Sequence, residues 1–477
     1  MTTFFRLAQA VPCLLAGLVW CVLPTATEAS ACDYAIVVSE TTLADPAWRM
    51  VVDSLVSKHQ QREPRVLIHR QQGLAGVAAE LAACMPAFTC FVATPTEASR
   101  EFIAEVHQLT RALDEDPYTD TLWGILTGFD AENALRIARR EEPLVIEQVT
   151  SGTELAMDRV VEGAWFSELE QNLMVVKQRG EEARQAHADD DTTAAIAARL
   201  SDGSTDLFVT SGHATERDWQ IGFRFRNGSF RSNGGALFGV DSAGHRFPIE
   251  SSNAKVWLPI GNCLAGHIDG TDALALAFMN AAGVHQMLGY TVPTWFGYAG
   301  WGCLDYFVEQ PGRYSLTEAF HANQHALIHE ISRLEGEPQP PASLRGLRFD
   351  RDVVAFYGDP AWEARMAPGP LNYTQTLRSE QRADGRIEIL LEIEPARGRD
   401  SFLPVNTNGS QRGGRPIVAF LPERLLAREL HDGEHLHPVL TDRFVLIPNP
   451  GPDFDGQGFR LVFSGLPVVS ESEKDAT

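Results

Sequence analysis

Val256-Trp-Leu-Pro-Ile-Gly-Asn-Cys-Leu-Ala-Gly266 is the stretch that decides how this chain of 477 residues is read. An apolar run of strand length ends in Gly-Asn, delivers a single cysteine, Cys263, and meets a glycine three residues later. A thiol at the mouth of a buried strand, on a turn of small residues, is exposed yet rigidly held. Upstream, Leu207-Phe-Val-Thr-Ser-Gly-His-Ala-Thr-Glu-Arg-Asp-Trp219 has the same design and delivers His213. The two residues stand 50 positions apart. A thiol nucleophile needs a base within hydrogen-bond reach, so that thiolate forms near neutral pH. Adjacent parallel strands bring their carboxyl ends side by side, where such sites collect. His213 and Cys263 are therefore the candidate base and nucleophile.

Outward from these stretches, strand and helix patterns alternate. Tyr34–Val38, Arg65–Ile68, Phe88–Ala93 and Leu122–Thr127 read as buried strands. Helices are expected over Trp48–His59, Gly76–Cys84, Thr94 to about Leu113, and Asp130–Arg140. Such alternation predicts an α/β sheet with crossover helices. Residues 150–200 read as mainly helical, because Phe166 to Val176 carries apolar residues at roughly helical spacing. Residues 221–254, rich in Gly, Ser, Asn and Arg, read as hairpins or a surface excursion. A helix from about Thr271 is closed by Gly283, and Val284–Thr291 returns as a strand. Pro293-Thr-Trp-Phe-Gly-Tyr-Ala-Gly-Trp-Gly302 reads as an aromatic loop at its end. A helix over about Ser315–Leu334 carries His321, His325 and His329, and Asp352–Phe356 reads as one more strand. Beyond about residue 370, Arg386–Ile393, Arg415–Phe420, Arg443–Ile447 and Phe459–Phe463 are strands between Gly/Pro/Asn turns. That spacing predicts a small all-β sandwich, with Glu471–Thr477 a frayed tail.

The formal net charge of −23 excludes a general nucleic-acid binder, which needs a phosphate-neutralising excess. At the N-terminus, Arg6 precedes an uncharged run from Val11 to Leu23, and Ala29-Ser30-Ala31 offers a small-x-small cleavage site. The run is too short to span a bilayer comfortably, so residues 1–31 are expected to be a cleaved signal peptide and the protein to be exported. Cys32, directly after that site, is either a lipid-modified N-terminal residue or half of a disulfide. Seven cysteines become five once Cys13 and Cys21 leave with the signal. An oxidising compartment would pair most of the five, and the odd count spares at least one thiol. Cys84 and Cys90, six apart, suggest a small loop closure.

The chain has no G-x-S-x-G elbow, P-loop, H-E-x-x-H or C-x-x-C. Asp189-Asp-Asp191 lacks the spacing and glycine of a calcium loop, so structural calcium has no support, and a solvated turn or helix start explains it better. His321, His325 and His329 share a helix face, yet nothing completes a zinc site, and a half-exposed polar face accounts for them. No metal and no cofactor are expected. Glu216 and Asp218 are the carboxylates nearest His213 in sequence, with no assigned role.

Ser211-Gly-His-Ala-Thr-Glu-Arg-Asp-Trp219 followed by Gly261-Asn-Cys-Leu-Ala-Gly266 resembles the paired histidine and cysteine blocks of gingipain-type cysteine peptidases, in the caspase–legumain–gingipain group. Gly358-Asp-Pro-Ala361 resembles a segment common near the end of that catalytic domain. The resemblance implies a caspase-like α/β fold of two subdomains, residues 32–195 and the catalytic 196–366, followed by an Ig-like β-sandwich over 370–477. It implies an exported cysteine endopeptidase that acts on peptide or protein substrates. Cys263 would be the nucleophile and His213 the base and acid, with the backbone N–H groups of Ala214 and Cys263 as the oxyanion hole. Trp295, Tyr298 and Trp301 would shape the primary specificity pocket. Two departures stand out. Family members usually have glycine where this chain has Ala214, and Pro259 sits inside a strand that reads as central.

Overall fold

The computed structural model describes residues 32–70, 73–451 and 454–468, so the expected signal segment and the tail lie outside the described residues. Up to residue 357 the strands are β1 (Tyr34–Ser39), β2 (Arg65–His69), β3 (Phe88–Val92), β4 (Leu122–Leu126), β5 (Leu144–Ile146), β6 (Gln148–Ser151), β7 (Glu162–Phe166), β8 (Leu173–Lys177) and β9 (Arg184–His187). They continue as β10 (Leu207–Thr210), β11 (Asp218–Gln220), β12 (Ser229–Asn233), β13 (Ala236–Val240), β14 (Arg246–Ile249), β15 (Lys255–Pro259), β16 (Val284–Tyr290) and β17 (Val354–Tyr357). Twelve of them form one sheet in the order β2-β1-β3-β4-β17-β16-β15-β10-β6-β7-β8-β9. The fold is mixed α/β with a large, mostly parallel central sheet.

Two parallel blocks meet at a seam, because β17 runs parallel to β4 but antiparallel to β16. The carboxyl ends of β10 and β15 therefore lie on the opposite edge of the sheet from those of β1, β3 and β4. Strands β11–β14 form a separate antiparallel sheet, and its β12–β13 and β13–β14 hairpins fall within 221–254, where hairpins or a surface excursion were expected.

Three sequence readings need correction. The expected helical region over 150–200 is short strands joined by loops, and its only α-helix is Thr193–Ser201. The apolar residues from Phe166 to Val176 belong to the two arms of the β7–β8 hairpin, joined through Asn172 with φ +64°. Strands β6–β9 lie beyond β10, far from β1–β4, so they pack with the block that carries His213 and Cys263 rather than with the first. The aromatic loop contains a helix, Tyr298–Phe307, whose glycines are forced by close packing: a Cβ on Gly300 would fall 2.1 Å from the Ile260 carbonyl. The histidines at 321 and 325 are buried on helix Leu316–Glu335 rather than half-exposed. His321 Nε2 lies 2.9 Å from the Trp123 N–H, and His325 stacks on Phe444 at 3.9 Å. Burial lowers the His321 pKa to about 3, so the ring is a neutral core group.

The cysteines also differ from expectation. Cys32 pairs with Cys84 across 52 residues, not Cys84 with Cys90. Cys90, Cys263 and Cys303 are free.

Gly358-Asp-Pro-Ala361 has a structural role. Asp359 is buried, with Lys58 Nζ at 2.8 Å, His59 Nε2 at 2.7 Å and the Tyr34 hydroxyl donating at 2.8 Å. It thereby ties β17 to β1 and the helix Pro46–Lys58. Burial alone would raise its pKa, but Lys58 and His59 outweigh that and hold the carboxyl well below its usual range.

The C-terminal region begins after β18 (Ala364–Met366), which pairs with β5. Its strands are β19 (Tyr373–Gln381), β20 (Ile387–Pro395), β21 (Ile417–Phe420), β22 (Leu425–Asp432), β23 (Val439–Leu440), β24 (Phe444–Ile447) and β25 (Phe459–Pro467). Two antiparallel sheets, β19-β20-β25-β22 and β21-β24-β23, close over a core including Ile389, Leu391, Phe463, Ile417 and Val445.

Asp359→Asn leaves Lys58 and His59 buried without a counter-charge, and chemical denaturation should show a loss of about 3–5 kcal/mol. Because the folded pKa is depressed, this contribution is full above the unfolded carboxylate value of about 4 and is lost as pH falls below it. The gap between native and variant stability should accordingly narrow in acid.

Candidate active site

Strands β10 and β15 pair in parallel, Leu207 opposite Val256 and Thr210 opposite Pro259, and every residue of both is buried. Burial on both faces accounts for the apolar centres of both strands, Leu207–Val209 and Val256–Leu258. The chain leaves both at the same level, into Ser211-Gly-His213 and Ile260-Gly-Asn-Cys263. Asn262, given no role of its own in the sequence reading, joins the two turns. Its buried Oδ1 accepts the Thr210 hydroxyl at 2.7 Å, and its Nδ2 donates to the Gly212 carbonyl at 3.1 Å. Trp257 Nε1 donates to the same Thr210 oxygen at 3.1 Å.

Pro259 is accommodated by strand alternation. The N–H groups of Val256 and Ile260 point to β10, bonding Asp206 O and Thr210 O. The Pro259 nitrogen therefore faces β16, where pairing ends at Trp257 opposite Met287. A missing donor costs little there.

His213 is exposed at the foot of a tight hairpin, closed by Gln220 N–H to the His213 carbonyl at 2.9 Å and Thr215 N–H to the Asp218 carbonyl at 2.8 Å. Those bonds make Ala214 and Trp219 a non-hydrogen-bonded pair, whose N–H groups point away from the opposing strand. The Ala214 N–H is thus free of the hairpin. Its φ is not positive, so alanine rather than glycine at this position brings no backbone strain. The His213 ring lies 5.1 Å from that of Phe223.

Cys263 is half-buried, while Cys90 and Cys303 are buried and their thiols pushed far up by desolvation. Among the described residues it is the one accessible free thiol. Its sulfur accepts the Thr294 N–H at 3.2 Å. Leu264, next in the chain, has φ +59°, a left-handed conformation costly for a leucine.

His213 and Cys263 line one cleft of about 460 Å³, together with Glu168, Trp295, Trp301 and Asn408–Ser410. Trp301 is gripped between two glycines, since a Cβ on Gly261 would fall 2.8 Å from its Nε1 and one on Gly409 2.3 Å from its ring. Trp295 stands exposed at the rim. Tyr298 is not part of the cleft, because one turn earlier on the same helix it stacks under Arg415 at 3.6 Å. Glu216 faces His267 at 3.4 Å and Asp218 faces Thr215, so neither orients His213. Asp191, one residue before the N-cap Thr192 of helix Thr193–Ser201, accepts the Thr193 N–H at 3.0 Å, in keeping with the helix-start alternative for the aspartate run.

The sequence reading missed two further contributors. Glu168 is buried beneath the His213 turn, accepting the hydroxyls of Ser211 and Thr153. Its backbone carbonyl takes the N–H groups of Phe223 at 2.8 Å and Arg224 at 3.0 Å. Burial pushes its carboxyl pKa up. Asn408 reaches in from the C-terminal region, donating to Thr153 Oγ1 at 2.9 Å and Glu154 Oε2 at 2.8 Å. Its loop is anchored by Arg412, which pairs with Asp305 and Glu309, and by Arg415, 3.0 Å from Asp305. No local signal connects residues so far apart in the chain.

No protein-family model matches this chain, and a search of curated proteins finds no match either.

Asn262→Ala should lower the rate at which an electrophile labels Cys263 by about a hundredfold, the cost of an ångström-scale misplacement. An unchanged rate in a folded variant would show that the two turns hold their positions without it. Arg412→Ala removes the ion-pair partner of buried Glu309, while Arg415 still holds Asp305, and should cost about 3 kcal/mol in thermal or chemical unfolding.

Proposed function

We propose that this protein is an exported cysteine endopeptidase of the gingipain-like type, with a caspase-like α/β region and a C-terminal Ig-like sandwich. The observation that carries the reading is the delivery of His213 and Cys263, by neighbouring parallel strands, into one cleft. In this reading the Cys263 sulfur attacks the carbonyl carbon of the scissile bond while His213 holds the thiol proton. The N–H groups of Ala214 and Cys263 receive the developing oxyanion. The tetrahedral adduct collapses with breakage of the C–N bond, and His213 passes the proton to the leaving amine. A thioacyl-enzyme remains. Water, deprotonated by His213, then attacks that thioester and releases the acid and the free thiol. None of these steps calls for a metal or cofactor. Trp301 as floor and Trp295 as rim would form the primary pocket.

A second reading, a binding protein that keeps the cleft without chemistry, is favoured by one observation. Among the described residues the hydrogen-bond partner of the Cys263 sulfur is the backbone of Thr294, not the His213 ring. Catalytic bonds in unliganded sites often tighten only with substrate bound, so the first reading stands.

A peptidyl electrophile separates the two. Mass spectrometry should find it on Cys263 and on neither Cys90 nor Cys303. Cys263→Ala should abolish both labelling and hydrolysis, and His213→Ala should slow hydrolysis by about 10²–10⁴-fold. Hydrolysis that persists in Cys263→Ala would remove the assignment. Trp301→Ala should shift the side-chain preference measured with a peptide library.

A further inference from the structure

Beside the cleft lies a second concavity of about 830 Å³, built on β11 and β12 and bounded by the turn Asp241–Gly244. Phe223 and Arg224 line both spaces, so a chain leaving the Cys263 cleft past His213 enters this groove directly. Its wall is Phe223-Arg-Phe-Arg226, and its floor carries Arg231. Arg224, Arg226 and Arg231 are exposed, and no ion pair engages any of them among the described residues. Two carboxylates, Asp218 and Asp241, line the same groove, so arginines outnumber acids there by three to two, and both acids are engaged by neighbouring groups. Asp241 is locked in its own turn, accepting the N–H groups of Ala243 at 3.0 Å and His245 at 2.7 Å as well as the His245 ring. Asp218, across the strands from Arg231, accepts the Thr215 hydroxyl at 2.9 Å.

The loop that presents these arginines is pinned. Ile221 N–H closes it on the Gly228 carbonyl at 2.9 Å, and the Glu168 carbonyl holds Phe223 and Arg224. Asn227, buried, accepts the Thr192 N–H at 3.1 Å and donates to the Thr192 hydroxyl at 3.0 Å. A loop already held in place loses little entropy when it binds. In a chain of net charge −23, three unpaired guanidiniums beside the candidate active cleft are a local reversal of sign.

Resting on the peptidase reading, we propose that this groove is an extended subsite for the acidic side chains of the substrate, a few residues away from the bond cleaved at Cys263. Arginine forks take carboxylates bidentately, which gives orientation as well as attraction. The substrate class is then a peptide or protein with an Asp/Glu-rich segment flanking the scissile bond. The groove thereby selects sequence context, separately from whatever the Trp301 pocket selects at the bond itself.

The test measures binding, not turnover. Fluorescein-labelled peptides of one length, with either a Glu/Asp-rich or a matched Gln/Asn flank, are titrated into Cys263→Ala protein and followed by anisotropy. The acidic peptide should bind about tenfold more tightly at low salt, and the advantage should vanish near 1 M NaCl, where the screening length is about 3 Å. Arg226→Gln/Arg231→Gln in the same background should abolish the advantage. Equal binding of the two peptides, no binding of either at low salt, or an advantage that survives the double substitution overturns the proposal. So does binding of polyphosphate or an anionic vesicle with no preference for the acidic peptide. Electrophile labelling of Cys263 in the native protein reports independently: its absence sinks the peptidase reading whatever the anisotropy shows.

Discussion

The Asn262 carboxamide is the constraint on which the candidate site depends. One side chain accepts from the last residue of β10 and donates to the carbonyl next to His213, while its own backbone leads into Cys263. Parallel pairing sets β10 and β15 side by side, but pairing stops at the strand ends. Beyond that point the separation of base and nucleophile rests on this buried amide. The Thr210 hydroxyl is fully buried, so losing the amide leaves that donor without an acceptor and frees the Gly212 carbonyl. The two turns need an acceptor and a donor on separate atoms of one side chain, and asparagine is the shorter of the two residues that carry a carboxamide.

What was legible in the sequence follows from where information is local. Strands buried on both faces show as apolar runs bounded by turns, so β10, β15 and β16 could be read, as could the first four strands. The β7–β8 hairpin deceived because its apolar residues, taken across a turn, imitate helical spacing. Helix Tyr298–Phe307 was hidden by its glycines, which lower helix propensity but are required by the approach of the Ile260 carbonyl and Asn323. Histidine pattern was visible and histidine burial was not, since nothing in residues 321–329 announces that Trp123 and Phe444 close over them. The Cys32–Cys84 bond spans 52 residues and could not be derived from spacing. Glu168 and Asn408 were invisible for the same reason: their roles depend on partners far away in the chain.

The two departures from the resembling family are explained by local geometry. Pro259 has its nitrogen on the side where the ladder has ended, and Ala214 adopts a backbone open to any residue. The α/β region and the β-sandwich share more than an edge. Arg412 and Arg415 converge on Asp305 in a buried network, and Gly409 packs against Trp301. Breaking such a network is costly even where forming it adds little net stability, so it acts chiefly to hold one geometry.

That dependence has a consequence in time. A polypeptide leaves the ribosome, and crosses a membrane, amino end first. His213 and Cys263 can therefore come together while the last third of the chain is still unmade, yet the wall formed by Asn408–Ser410 cannot. The cleft is finished by residues that arrive some 145 positions after the nucleophile. Nascent and truncated chains carry a thiol and a base beside an open side. The completed cleft belongs to chains that extend past Ser410, so synthesis itself orders when the site is assembled.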